Sequence, residues 1–128
     1  MSYRCLLTSN TTEWYNHSVV FIESKAFTAR LIALAGQDSD AVLGEIQKDL
    51  IQNPERGAMP PSLCGMRKAT AANPARGKGK RSGFRYGYLY LKTKHHIHLL
   101  YVLDKDEQED FTEEQRKIIK GLVRQLKG

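Results

Sequence analysis

The sequence predicts a small α+β domain, and three features predict it. A β-branched run near residue 20 is followed by two stretches with apolar residues at helical spacing. Two strand-like runs then flank a short polar turn. A capping signature opens a last amphipathic stretch. The expected order is β-α-α-β-β-β-α, with a helical pair packed on an antiparallel sheet.

The elements follow in order along the chain. Residues 1–17 show no clear period and read as an appended arm that need not be ordered, with the folded domain spanning 18–128. "SVVFIE", Ser18 to Glu23, is β-branched and aromatic, as a short strand should be. Ser24 can cap a helix carrying Phe27, Leu31 and Leu34 on one side, and Gly36 closes it. A second helix begins near Asp38 or Ser39, with Val42, Leu43, Ile46, Leu50 and Ile51 as its stripe and Asn53-Pro54 as its stop. "PERGAMPPSLCG" holds three prolines and two glycines and reads as a loop. "GMRKATAA" is a strand candidate with poor alternation, and "NPARGKGKRSG" is a second, very polar loop. "FRYGYLYLK" and "HIHLLYVL" form an antiparallel hairpin turning at Lys92 to Lys94. Thr112 to Gln115 matches a capping box, opening a helix with Ile118, Ile119, Leu122 and Leu126 on its apolar side.

Composition narrows the function classes. Hydrophobic residues make up 41% of the 128 and charged ones 27%, ordinary for a globular chain. No run approaches the roughly 20 apolar residues of a membrane span, and Cys5 to Leu7 is too short for a signal-peptide core. The expectation is a cytoplasmic protein whose Cys5 and Cys64 are free thiols, and no C-x-x-C spacing suggests a metal site. Net charge is +6, and it is concentrated. Between Gly57 and Leu103 lie nine Lys or Arg and no Asp or Glu, while the rest of the chain holds eleven basic against fourteen acidic residues. One basic segment on a globular domain points to a polyanionic partner.

Several residues in that segment could carry chemistry. "GKGKRSG" fails the nucleotide-binding P-loop template, but its glycines and its Lys78, Lys80 and Arg81 suit contact with a phosphate backbone. Arg85 sits inside a strand pattern, which gives a cation a fixed position. Strict alternation places Phe84, Tyr86, Tyr88 and Tyr90 on one face and Arg85, Gly87 and Leu89 on the other. Gly87 either leaves a gap for a ligand beside Arg85 or marks a bulge. The tyrosines could stack bases, but a stripe at strand spacing is more often core. His95, His96 and His98 could serve acid–base cleavage of RNA, although only His96 and His98 share a face and a turn is an ordinary place for polar residues. "DKDEQED", Asp104 to Asp110, is an acidic counterweight near a helix N-terminus.

Taken together, "VVFIES", "EIQKDLIQNPERG", "GMRKA", "PARGKGKRSGFR" and "HLLYVLDKDEQEDFTEEQRK" resemble the HigB-like branch of the RelE toxin superfamily. The resemblance covers about Ser18 to Lys127. It implies the toxin of a type II toxin–antitoxin pair that enters the ribosomal A site and cuts mRNA there. The reaction implied is metal-free attack of a ribose 2′-OH on the adjacent phosphate, leaving a 2′,3′-cyclic phosphate and a 5′-OH. No cofactor is implied, and the partner is a cognate antitoxin of the small helix-turn-helix kind. Carried over by position, Arg67, Lys80, Arg85 and Lys105 are the catalytic candidates, and Lys68, Arg76, Lys78 and Arg81 the RNA contacts.

The sequence also departs from the family pattern. Asp106 stands where some relatives have a catalytic arginine, and Phe111 and Thr112 where they have a tyrosine. Ala69 and Thr70 replace further cations, and Gly87 replaces a bulky strand residue. These departures set an attenuated or non-catalytic RNA- or ribosome-binding member of the same fold beside the nuclease as the competing expectation.

Overall fold

A computed structural model of the chain describes residues 3–9, 18–74, 83–105, 108 and 110–127. The order of elements is β1 (Tyr3–Ser9), β2 (Ser18–Ser24), α1 (Lys25–Ala35), α2 (Ser39–Gln52), β3 (Arg67–Ala71), β4 (Phe84–Leu91), β5 (His96–Asp104) and α3 (Glu113–Lys127). The class is α+β, as the sequence predicts. The five strands form one sheet in the order β1-β2-β5-β4-β3. The three strands after the helices are antiparallel. β2 joins β5 in parallel, so the whole sheet is mixed and not purely antiparallel. The arm differs from expectation too. Tyr3–Ser9 pairs antiparallel with the full length of β2 and adds an edge strand.

Alternation along the strands divides the apolar residues into two cores. On one face, Phe21, Tyr86, Tyr88, Ile97, Leu99 and Val102 pack under Phe27 and Leu31 of α1 and Val42, Ile46 and Leu50 of α2. On the other, Leu89, Leu100, Tyr101 and Leu103 pack under Ile119, Leu122 and Val123 of α3, together with Leu63, Met66 and Phe111. β5 lies between β2 and β4 and is buried on both faces, which explains its nearly continuous apolar run. In α3, Val123 turns inward, whereas Ile118 is 48% exposed and lies outside the stripe expected of it.

Two local devices fix this layout. Ser24 Oγ accepts from the Phe27 N–H, capping α1, and donates to the Leu100 carbonyl at 2.7 Å. Leu100 has no residue opposite it, because Gly87 pairs with Tyr101 and Tyr88 with Leu99. The bulge therefore puts both Leu100 and Tyr101 into the α3 core, and the Ser24 hydroxyl satisfies a carbonyl at the irregularity. At the start of α3, Thr112 Oγ1 accepts from the Gln115 N–H and Gln115 Oε1 from the Thr112 N–H, closing the expected capping box.

Candidate functional site

β3 and β4 carry three of the four described candidates, Arg67, Lys68 and Arg85, and Lys105 follows the end of β5. Their register sets Arg67 opposite Tyr88, Lys68 opposite Gly87, and Thr70 opposite Arg85. Neighbouring strand residues point to opposite faces. Arg67 therefore lies on the α1/α2 face, and Lys68, Thr70 and Arg85 on the α3 face. The structure does not bring Arg67 and Arg85 together in one pocket.

Arg67 is fully engaged where it is. Its guanidinium donates to the carbonyls of Glu55 at 2.9 Å and Gly57 at 2.8 Å, and pairs with the Glu55 carboxylate at 3.6 Å. Beside it, the Tyr88 hydroxyl donates to the Pro54 carbonyl at 2.8 Å and accepts the Gly57 N–H at 3.1 Å. Arg56 donates to the Thr70 carbonyl at 3.2 Å and the Tyr86 hydroxyl at 3.3 Å. Burial pushes both phenols above their ordinary range, against the Arg56 bond at Tyr86 and the Gly57 N–H at Tyr88. Tyr86 and Tyr88 are thus core residues whose hydroxyls fasten the loop after α2, and they offer no stacking platform.

The α3 face is different. Ala58, Lys68, Ala69, Thr70 and Arg85 line an open cleft of about 110 Å³. Arg85 Nε is buried there, and among the described residues it has no hydrogen-bond partner. Lys68 Nζ meets both carboxylate oxygens of Asp110, at 3.0 and 3.1 Å. Asp110 also accepts from Arg116 at 3.2 Å and from the Phe111 N–H at 2.8 Å. Burial pushes the Asp110 carboxyl upward, but Lys68, the Phe111 N–H and Arg116 outweigh it and hold it below the usual carboxylate range.

Gly87 leaves no gap for a ligand. A Cβ there would meet Met66 Sδ at 2.5 Å and the Phe111 ring at 3.5 Å, so the space is already filled by the α3 core. The register shift beside it is the bulge that the sequence offered as the other reading. Phe111 itself is 4% exposed and packs edge-on against Tyr101, which makes it a core residue. Thr112 is the α3 cap.

Gly83 and Lys105 meet at the same end of β4. Gly83 opens the strand where a Cβ would collide with the Ala71 carbonyl, so glycine is required by the close approach of the backbones. The Lys105 N–H donates to the Gly83 carbonyl at 3.2 Å, which brings Lys105 to the foot of the loop. Arg76, Lys78, Lys80 and Arg81, like Asp106, lie outside the described residues.

The histidines stand elsewhere. His98 pairs across from Leu89, four residues along β4 from Arg85, or roughly 13 Å at the usual strand rise. It is 6% exposed, and burial, then His96 and Lys94, lower its pKa to about 4. His95 sits at the turn with φ 56°. Among the described residues no group of His, Cys, Asp or Glu is placed to hold a metal ion, and no helix is long and apolar enough to cross a membrane. No family model matches the chain.

Sequence reasoning missed Asp110 as the partner of Lys68 and Thr70 as a wall of the cleft. The acidic run 104–110 was the available signal, but its charge reads equally well as a helix approach. Nothing local links it to a lysine 42 positions earlier.

Proposed function

We propose that this protein is the toxin of a type II toxin–antitoxin pair, an mRNA endonuclease acting on the ribosome. The observation that carries the reading is Arg85: a strand-borne guanidinium with a buried, unpartnered Nε in an open cleft at the foot of a loop with four cations. An N–H donor kept from both water and protein acceptors costs free energy until an acceptor arrives. A phosphate oxygen is such an acceptor, and the arginine fork fits it.

In this mechanism Arg85 stabilises the extra negative charge that builds on the scissile phosphate as the 2′-OH attacks. Lys105 and the cations Arg76, Lys78, Lys80 and Arg81 contact the RNA backbone. Lys68 adds a phosphate contact from β3. Arg67, tied to carbonyls on the opposite face, takes no part in the reaction and serves the fold. The ribosome supplies the orientation that brings the 2′-OH in line. The cognate antitoxin is a small helix-turn-helix protein, and the site of action is cytoplasmic.

A second reading has its own observation. No imidazole lines the cleft, and the one carboxylate the described residues bring to its rim, Asp110, is tied to Lys68 and Arg116 and held below the usual carboxylate range, which makes it a weak general base for the 2′-OH. An attenuated or non-catalytic member would grip RNA or the ribosome without cutting. Expression of the chain without an antitoxin separates the two. The nuclease reading expects growth arrest and new 5′ ends in translated mRNA. Ribosome binding with no new ends would transfer the conclusion to the second reading.

A further inference from the structure

We propose that Asp110 is a built-in competitor for the cleft: its carboxylate occupies Lys68, and a phosphate-bearing ligand gains that cation by displacing it. This rests on reading the cleft as a phosphate site. Of the two cations lining it, Arg85 keeps a buried Nε without an acceptor, whereas Lys68 is held by both oxygens of one carboxylate. Two anionic oxygens about 3 Å from an ammonium are also what a phosphate would present.

The pair is built to exchange. The Asp110 side chain is 42% exposed, so it lies at the rim where a ligand can reach it. When Lys68 leaves, Asp110 is not orphaned, because Arg116 and the Phe111 N–H continue to hold it. Lys68 therefore exchanges one pair of anionic oxygens for another, and neither charge is left bare. Arg67 has no such freedom, since leaving would strip the Glu55 and Gly57 carbonyls of their donor.

The exchange has a structural consequence. Asp110 sits at the start of α3, where Gln108 donates to the Asp110 carbonyl and to Gln115 of the capping box. Lys68 is on β3. Occupancy of the cleft by phosphate cuts this β3–α3 tie, so the first turn of α3 reports whether the site is filled.

The test uses the full chain and two ligands, a single-stranded RNA oligonucleotide and inorganic pyrophosphate. Asp110→Asn should bind both roughly two- to fivefold more tightly, the size of a part-exposed ion pair removed from competition. Its log-affinity for RNA should also fall more steeply with log salt, by about 0.7 in slope, as Lys68 joins the phosphate contacts. Glu113→Gln makes the same change in net charge nearby and should leave both affinities within about a factor of 1.5. In a Lys68→Met background the gain from Asp110→Asn should vanish.

A gain no larger than that of Glu113→Gln, or one that survives without Lys68, overturns the proposal. If Asp110→Asn folds poorly, resonances of wild-type Lys68 Nζ and the Asp110 carboxyl decide instead. They should shift together as pyrophosphate is added, and an unmoved Asp110 while the anion binds overturns the exchange. A Lys68-dependent gain with pyrophosphate but no RNA binding by any variant keeps the exchange and rejects the RNA reading. Binding of neither ligand rejects both.

Discussion

The two faces of the β3–β4 pair carry the same kinds of residue to opposite ends. On the α1/α2 face, Arg67, Arg56, Tyr86 and Tyr88 close a network with the backbone through hydrogen bonds of 2.8 to 3.3 Å. On the α3 face, a few ångströms away through one sheet, Arg85 keeps a buried donor without an acceptor. Two arginines that look alike in sequence are distinguished by hydrogen-bond satisfaction. That difference at Arg85 Nε, among the described residues, is what the proposed phosphate site rests on.

The sharpest way to break this contrast is to remove each cation and ask what is lost. Arg85→Ala should lower RNA cleavage by roughly a hundred- to a thousandfold, as expected when one donor to a developing oxyanion is removed. Its stability should stay within about 0.5 kcal/mol of the parent, because no hydrogen bond holds Arg85 Nε in the fold. Rate assays on protein matched for folded fraction, alongside thermal melts, check both halves.

The opposite pattern is expected from Tyr88→Phe. Loss of the hydroxyl strands the Gly57 N–H and the Pro54 carbonyl, and should cost about 2 kcal/mol in urea unfolding. Cleavage per folded molecule should not change.

The histidine end of β5 adds a pH test. The native imidazole of His98 resists protonation until about pH 4, whereas an unfolded histidine accepts a proton near 6.5. Between those values the unfolded chain binds more protons, so stability rises with pH and is lost as pH falls from about 6.5 to about 4. The loss should be on the order of 2 kcal/mol, and His98→Gln should flatten that window. Anion binding at Arg85 should not follow the same curve, because the imidazole lies several residues along the sheet.

Arg67→Met is the smallest effect and the most pointed. It should cost about 1 kcal/mol of stability, leaving the Glu55 and Gly57 carbonyls to water at a part-exposed edge. RNA affinity should stay at the parent value in filter binding. A fall in affinity would place Arg67 back in the site.

Much of this was legible in the chain and part was not, for identifiable reasons. The tyrosine ladder in β4 alternates strictly, so it assigned Arg85 to the face opposite the tyrosines correctly. Ser24 and the Thr112–Gln115 box are local signals, and both caps formed where they stand. β3 alternates poorly, and a displacement of one residue changes faces, so grouping Arg67 with Arg85 had nothing to correct it. Gly87 stayed open between a gap and a bulge because Met66 and Phe111, which fill the space beside it, come from distant parts of the chain. The parallel pairing of β5 with β2 and the strand in the arm depend on partners that no local pattern names.

The contrast between the two arginines is tested most directly by mapping mRNA 5′ ends in a purified translation reaction. Parent, Arg67→Met and Arg85→Ala proteins would be compared at equal folded concentration. New ends should appear with the parent and with Arg67→Met at similar yield, and be absent with Arg85→Ala. Equal cutting by Arg85→Ala, or loss of cutting in Arg67→Met, would contradict the assignment of Arg85 to the reaction and Arg67 to the fold.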